Sequence, residues 1–159
     1  MDKLFAEEPK TTQPSLRHAG FWIRFVASTV DFIVCLGLFF LAIPLALMAV
    51  KLGENLAGAP TGQATPVLVV AIVGLPLSIS GLYQTLFVGW SGQTPGKALL
   101  GLKIIQTSGA EMTYSRAFAR WIGRVLSGLL LGLGFLMIAW TKNKQGLHDK
   151  IANTYVIRL

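Results

Sequence analysis

Two ionisable residues, Arg24 and Asp31, stand inside an apolar run of membrane length that covers residues 22–50. In hydrocarbon each such group costs roughly 2.5–3.5 kcal/mol on insertion scales, so a chain that keeps two either pairs them or uses them. Their spacing is about two helical turns, which sets both on nearly the same helix face, roughly 10 Å apart along the axis. Arg24 lies near the start, where its stem can snorkel to the interface. Asp31 lies too deep for that and requires a basic partner, a water-filled cavity or a proton. A second basic set, Arg116, Arg120 and Arg124, recurs at i, i+4, i+8 and makes one slowly turning stripe on a helix. It reads either as an interfacial amphipathic helix holding anionic headgroups or as the source of a cation, Arg120 or Arg124, that turns inward to meet Asp31. Both readings can share the helix, with Arg116 outside and Arg124 inside.

Two other constellations invite chemistry and resist it. The Gly-x-x-x-Gly-Lys spacing over Gly92, Gln93, Thr94, Gly96 and Lys97 looks like a phosphate loop. That loop needs glycine at position 91 and Ser or Thr at position 98, and the chain has Ser91 and Ala98. The segment reads instead as a tight turn at the membrane surface, with Lys97 reaching lipid phosphate. His148 and Asp149 could form an acid–base pair, but adjacent residues seldom face each other, and neither a nucleophile nor a metal-ligand set accompanies them. They are expected to cap the tail or tie it to the 93–97 turn, or Asp149 pairs with an arginine of the stripe. No enzymatic activity, cofactor or metal is expected. Cys35, the single cysteine, allows no intrachain disulfide.

The elements that must position these groups are membrane segments. Of 159 residues, 53% are hydrophobic and 13% charged, the latter about half of the ~25% usual for soluble domains; the mean hydropathy is +0.59. The net charge of +7 is then a topology signal, and long uncharged runs between the charges argue against a nucleic-acid partner. Residues 1–18 read as a flexible polar tail and 19–159 as the membrane domain. The first helix is expected over 21–50, with a kink near Pro44, then a lightly charged loop over 51–65. The second helix is expected over 66–90, where Gly74, Ser78 and Gly81 let a neighbour approach. Residues 102–106 and 111–113 look like the arms of a short β-hairpin, and 154–157 like a further strand.

Residues 125–140 are apolar but shorter than the ~20 a span needs, and Gly128, Gly132 and Gly134 interrupt them. The positive-inside rule places the N-terminal tail and the second loop in the cytoplasm. A third full span would leave Lys142, Lys144, Lys150 and Arg158 outside, against that rule. The alternative is a re-entrant hairpin over 120–140, broken near 132–134, which returns the tail and lets 154–157 pair with 103–106; this is preferred. The expected architecture is thus an all-α membrane protein with two full transmembrane helices, an Arg-rich interfacial helix, a third short or re-entrant apolar segment and a small cytoplasmic β-hairpin.

Three local patterns in this order resemble the RDD family of small integral membrane proteins. Arg24 and Asp31 match the arginine and aspartate of its first helix. Gly92-Gln-Thr-Pro-Gly-Lys with Gly101-Leu-Lys-Ile resembles its central segment, and Leu147-His-Asp-Lys-Ile-Ala-Asn-Thr its last, so that Asp149 corresponds to the second aspartate. Asn153 stands where glycine is common. The resemblance covers about residues 19–157. It implies a multi-pass protein of the bacterial inner membrane; the charge bias adds a cytoplasmic N-terminus, the basic stripe contact with anionic lipid headgroups, and the small number of membrane segments a homo-oligomer or a partner membrane protein. It further implies transport or exchange of a small solute, cation or proton through Asp31 with arginine partners. The other reading is a scaffold in which Arg24, Asp31 and Asp149 form structural ion pairs.

Overall fold

The computed structural model describes residues 17–57 and 70–159. Most of the expected N-terminal tail, the far part of the first loop and the first residues of the second helix lie outside these. Helix α1, Phe21–Ala57, runs 37 residues without a break and passes through Pro44. At 1.5 Å per residue it is roughly 55 Å long, well over the ~30 Å hydrocarbon thickness. Within its apolar part, Phe21–Gly53, an 18-residue stretch reaches a mean hydropathy of 2.8. The expected loop therefore starts later than its Gly and Asn content indicates, because residues 51–57 stay helical. Beyond its first three turns α1 presents Phe32, Phe40, Leu41 and Met48 outward, each more than 60% exposed; lipid, not protein, is the solvent for that surface.

A π-helical turn, Val70–Gly74, leads into α2, Leu75–Ser91. Pro76 sits in the first turn of α2, where its missing N–H loses no helical bond. Gly92 ends the helix at φ 70°, its N–H bonded to the Val88 carbonyl at 3.0 Å, a left-handed cap that glycine adopts without steric cost. The chain then forms α3, Pro95–Leu99, and strand β1, Leu102–Gln106.

Helix α4, Tyr114–Leu129, and helix α5, Leu133–Trp140, meet at a bend of 104°. Leu131 and Gly132 are both left-handed, φ 53° and 80°, and two such residues in succession reverse an apolar run that would otherwise continue. This is the broken segment expected at the glycines. A short helix α6, Leu147–Ile151, and strand β2, Thr154–Arg158, complete the chain.

Strand β1 pairs antiparallel with β2, Ile104 opposite Val156. The pairing is the one that a returning tail permits. The local hairpin with 111–113 does not form, since that segment carries no strand. Residues 17–19 run along the other side of β2: His18 bridges Ile157, and the Ala19 N–H donates to the Val156 carbonyl at 2.9 Å. Leu102, Ile104 and Val156 alternate onto one face and pack with Ala19, Ala27, Val88 and Ala117 into the core. The start of α1, the end of α2 and both strands thus sit at one end of the molecule, and that end holds the charged residues.

Candidate functional site

Asp31 is 2% exposed and fully partnered. Its carboxylate accepts from the Tyr83 hydroxyl at 2.9 Å, the Thr94 hydroxyl at 2.5 Å and the Gly96 backbone N–H at 2.8 Å. The Lys97 ammonium stands 3.3 Å away and also donates to Thr94 Oγ1 at 3.1 Å. The 93–97 turn is therefore an oxyanion cradle, and the oxyanion it holds belongs to α1. Lys97 does not reach lipid phosphate: it is 2% exposed, because α3 docks directly on α1. Gly96 makes that approach feasible, since a Cβ there would overlap the Ala27 carbonyl and stand 2.8 Å from Asp31 Oδ1. Gln93 ties the turn to β1 through the Leu102 carbonyl at 2.9 Å, and Gly92 accepts from the Ile104 N–H at 2.7 Å.

Asp149 is fully buried and holds two arginines. Arg24 Nη1 lies 2.7 Å from Oδ2 and Arg120 Nη2 2.6 Å from Oδ1. The Gly146 N–H donates to Oδ2 at 3.2 Å, and His148 Nε2 is 3.4 Å from Oδ1. Arg24 neither snorkels nor meets Asp31. It is 6% exposed and donates further to the Ala19 carbonyl at 2.9 Å and the Val156 carbonyl at 3.3 Å. Arg120 likewise turns inward but meets Asp149, and it donates to Thr154 Oγ1, whose hydroxyl reaches the Asp149 carbonyl at 3.3 Å. Arg116 binds the Ala152 carbonyl at 2.9 Å, so the stripe is largely spent on the protein. Arg124 has no carboxylate partner among the described residues.

Burial alone would raise the Asp149 carboxyl, but the Arg120 and Arg24 guanidiniums, with the Gly146 N–H, outweigh it and hold the group well below its ordinary 3.8. His148 is held neutral far below 6.5, first by burial, against the pull of Asp149 and with the surrounding arginines adding to the effect. Burial also lowers Lys97, from 10.5 to about 7; Arg124 pushes the same way and Asp31 opposes. Lys97 is thus the group in this cluster that can gain or lose a proton near neutrality.

The cationic partners of both carboxylates, Lys97, Arg24 and Arg120, line with Arg124 a cavity of about 460 Å³ that has Phe25 and Phe135 among its apolar walls. Four basic side chains against two acids leave an excess of positive charge. Among the described residues, no group of three His, Cys, Asp or Glu could hold a metal ion.

The sequence places Asp31, Asp149, Arg24 and Arg120 in one cluster, and the pairing of Asp149 with an arginine of the stripe is found in Arg120; the expected arginine partner of Asp31 is replaced by Lys97, and Tyr83 and Thr154 were not foreseen as contributors. Tyr83 carried a signal: it is a hydroxyl in an uncharged span, which a deep carboxylate on a neighbouring helix needs.

The order of these nodes along the chain defines the class. The RDD family model matches residues 18–153, and the chain belongs to the RDD family of membrane proteins. It is 34% identical over 151 residues to "Uncharacterized protein YxaI" of Bacillus subtilis (strain 168), covering 87% of this chain and 96% of that one. It is 31% identical over 142 residues to "Uncharacterized membrane protein YteJ" of the same organism, covering 88% and 80%. A third relative, "Uncharacterized protein YckC", is 31% identical over 147 residues, covering 87% and 83%. No solved structure gives a significant match.

Proposed function

We propose that this protein carries an anionic solute across the cell membrane, with Lys97 taking up and releasing a proton. The single observation that supports the reading is that Lys97 is at once the cation of Asp31 and part of the wall of the cavity. A proton lost from Lys97 removes a positive charge from that wall and frees Asp31 of its ion pair, so solute affinity and the docking of α3 on α1 both follow the proton. The two aspartates act as counter-charges, and the solute is an anion because the basic groups face the cavity. Two long helices give one chain a thin pathway, so a homo-oligomer or a partner membrane protein completes it. The N-terminus is cytoplasmic, following the positive-inside rule.

The test is flux in proteoliposomes under an imposed pH gradient, across a panel of anions from inorganic phosphate to fatty acids, with cations as controls. The reading expects anion movement that stops in Lys97→Met while the variant stays folded. Absence of flux for every anion, with proton movement also unaffected, refutes it. A second reading, a scaffold in which the ion pairs only dock helices, is favoured by the complete partnering of Asp31 and Asp149. It expects the exchanged pair Lys97→Asp with Asp31→Lys to restore folding and phenotype without any flux.

A further inference from the structure

The cavity lies at a particular depth. Its wall from α1 runs from Phe21 to Ser28, about 10 Å along the helix axis. Trp22 beside it is 76% exposed, as an aromatic anchor at the headgroup level would be. The basic groups therefore sit where the polar heads of the bilayer meet the acyl chains. The opposite wall comes from the α4–α5 bend, with Leu131, Phe135 and Leu136. Of the rim residues, Phe25 is 56%, Leu131 92% and Leu136 40% exposed. The mouth is apolar and the floor cationic, a polarity opposite to that of a port for a hydrated ion. Arg24 and Arg120 are engaged by Asp149, and Lys97 by Asp31. Arg124 alone lines the cavity without a protein carboxylate among the described residues.

We infer that the cavity binds an anionic amphiphile, one phosphate or carboxylate head on Arg124 and its acyl tail leaving between α1 and α5 into the bilayer. The inference rests on the cavity being the solute site and names the solute's class. A phospholipid and a free fatty acid share this chemistry. The bend at 130–132 serves it by setting Leu131, Phe135 and Leu136 into the cavity wall across from α1.

The experiment uses the full chain in dodecyl maltoside, read by native mass spectrometry and by thermal stability. The probes are dioleoyl phosphatidic acid, dioleoyl phosphatidylglycerol, sodium oleate, dioleoyl phosphatidylcholine and inorganic phosphate. One equivalent of an anionic amphiphile is expected to stay bound and to raise Tm, with phosphatidylcholine at least tenfold weaker. Retention of phosphatidic acid or phosphatidylglycerol identifies a phosphate head, and retention of oleate a carboxylate head. Arg124→Gln should weaken binding at least tenfold with the unliganded Tm little changed, and Arg124→Lys should recover part of it. Equal retention of phosphatidylcholine, or several equivalents without saturation, overturns the inference on the wild-type protein alone. Unaltered binding in Arg124→Gln overturns it too. Protection by inorganic phosphate without retention of any amphiphile overturns the amphiphile while keeping an anionic solute; no response to any anion removes both.

Discussion

Asp149→Asn tests the energetics of the larger node most sharply. The side chain is fully buried, and its two oxygens meet Arg24 at 2.7 Å and Arg120 at 2.6 Å. Asparagine keeps the shape but removes the charge and turns one acceptor into a donor facing a guanidinium. Two buried arginines then share the cluster with no anion between them. Removing one partner of a buried pair costs about 3–5 kcal/mol. For a chain of this size each kcal/mol moves Tm by about 2–4 °C, so the expected fall is about 6–20 °C. The control is Glu111→Gln, whose carboxylate is 89% exposed and 3.5 Å from Lys103; an exposed pair of this kind is worth about 0–1 kcal/mol. The assay is intrinsic tryptophan fluorescence on heating in one detergent. A fall below about 2 °C, or one equal to that of the control, would refute the claim that Asp149 holds the two arginines in place.

The same carboxylate sets a pH dependence. Because its folded pKa is depressed, its contribution is complete above the ordinary 3.8 and is lost as pH falls through the folded value; the wild type should lose Tm on acidification below about pH 4 more steeply than Asp149→Asn in the same titration. Gly96→Ala should cost about 1–3 kcal/mol, since the added methyl meets the Ala27 carbonyl and Asp31; a Tm equal to wild type would contradict the close docking of α3 on α1. Tyr83→Phe removes one hydrogen bond to a buried carboxylate, worth about 1.5–3 kcal/mol, and an unchanged Tm would mean that Asp31 does not use it. Topology reporters fused before Met1 and after Leu159 should give the same side, because β2 pairs with β1 and with residue 18; opposite sides would exclude the bent α4–α5 unit.

The general plan was legible because membrane insertion is a severe filter. A carboxylate at position 31 and a short, glycine-broken apolar run at 125–140 both announce partners and a return. Of the pairings, that of Asp149 with an arginine of the stripe was legible; those of Arg24 and Asp31 were not, because they depend on contacts far apart in sequence. Arg24 and Asp31 share a helix face, yet α6 brings Asp149, and β2 the Val156 carbonyl, to Arg24 first. Lys97 looked like a surface lysine because its turn is polar; only the docking of Gly96 against α1 buries it. The turn was read as lying at the membrane surface, whereas Thr94, Gly96 and Lys97 hold the Asp31 carboxylate. Leu102–Gln106 offered a neighbouring strand as partner, but residues 110–113 lead straight into α4, and β2 takes the edge instead.

The most direct measurement is a pair of double-mutant cycles on unfolding free energy. Arg24→Gln with Asp149→Asn should show a coupling of about 1–3 kcal/mol, as residues in contact do. Arg24→Gln with Asp31→Asn should be additive within about 0.5 kcal/mol. Strong coupling of Arg24 to Asp31, with none to Asp149, would contradict the arrangement of charges described above.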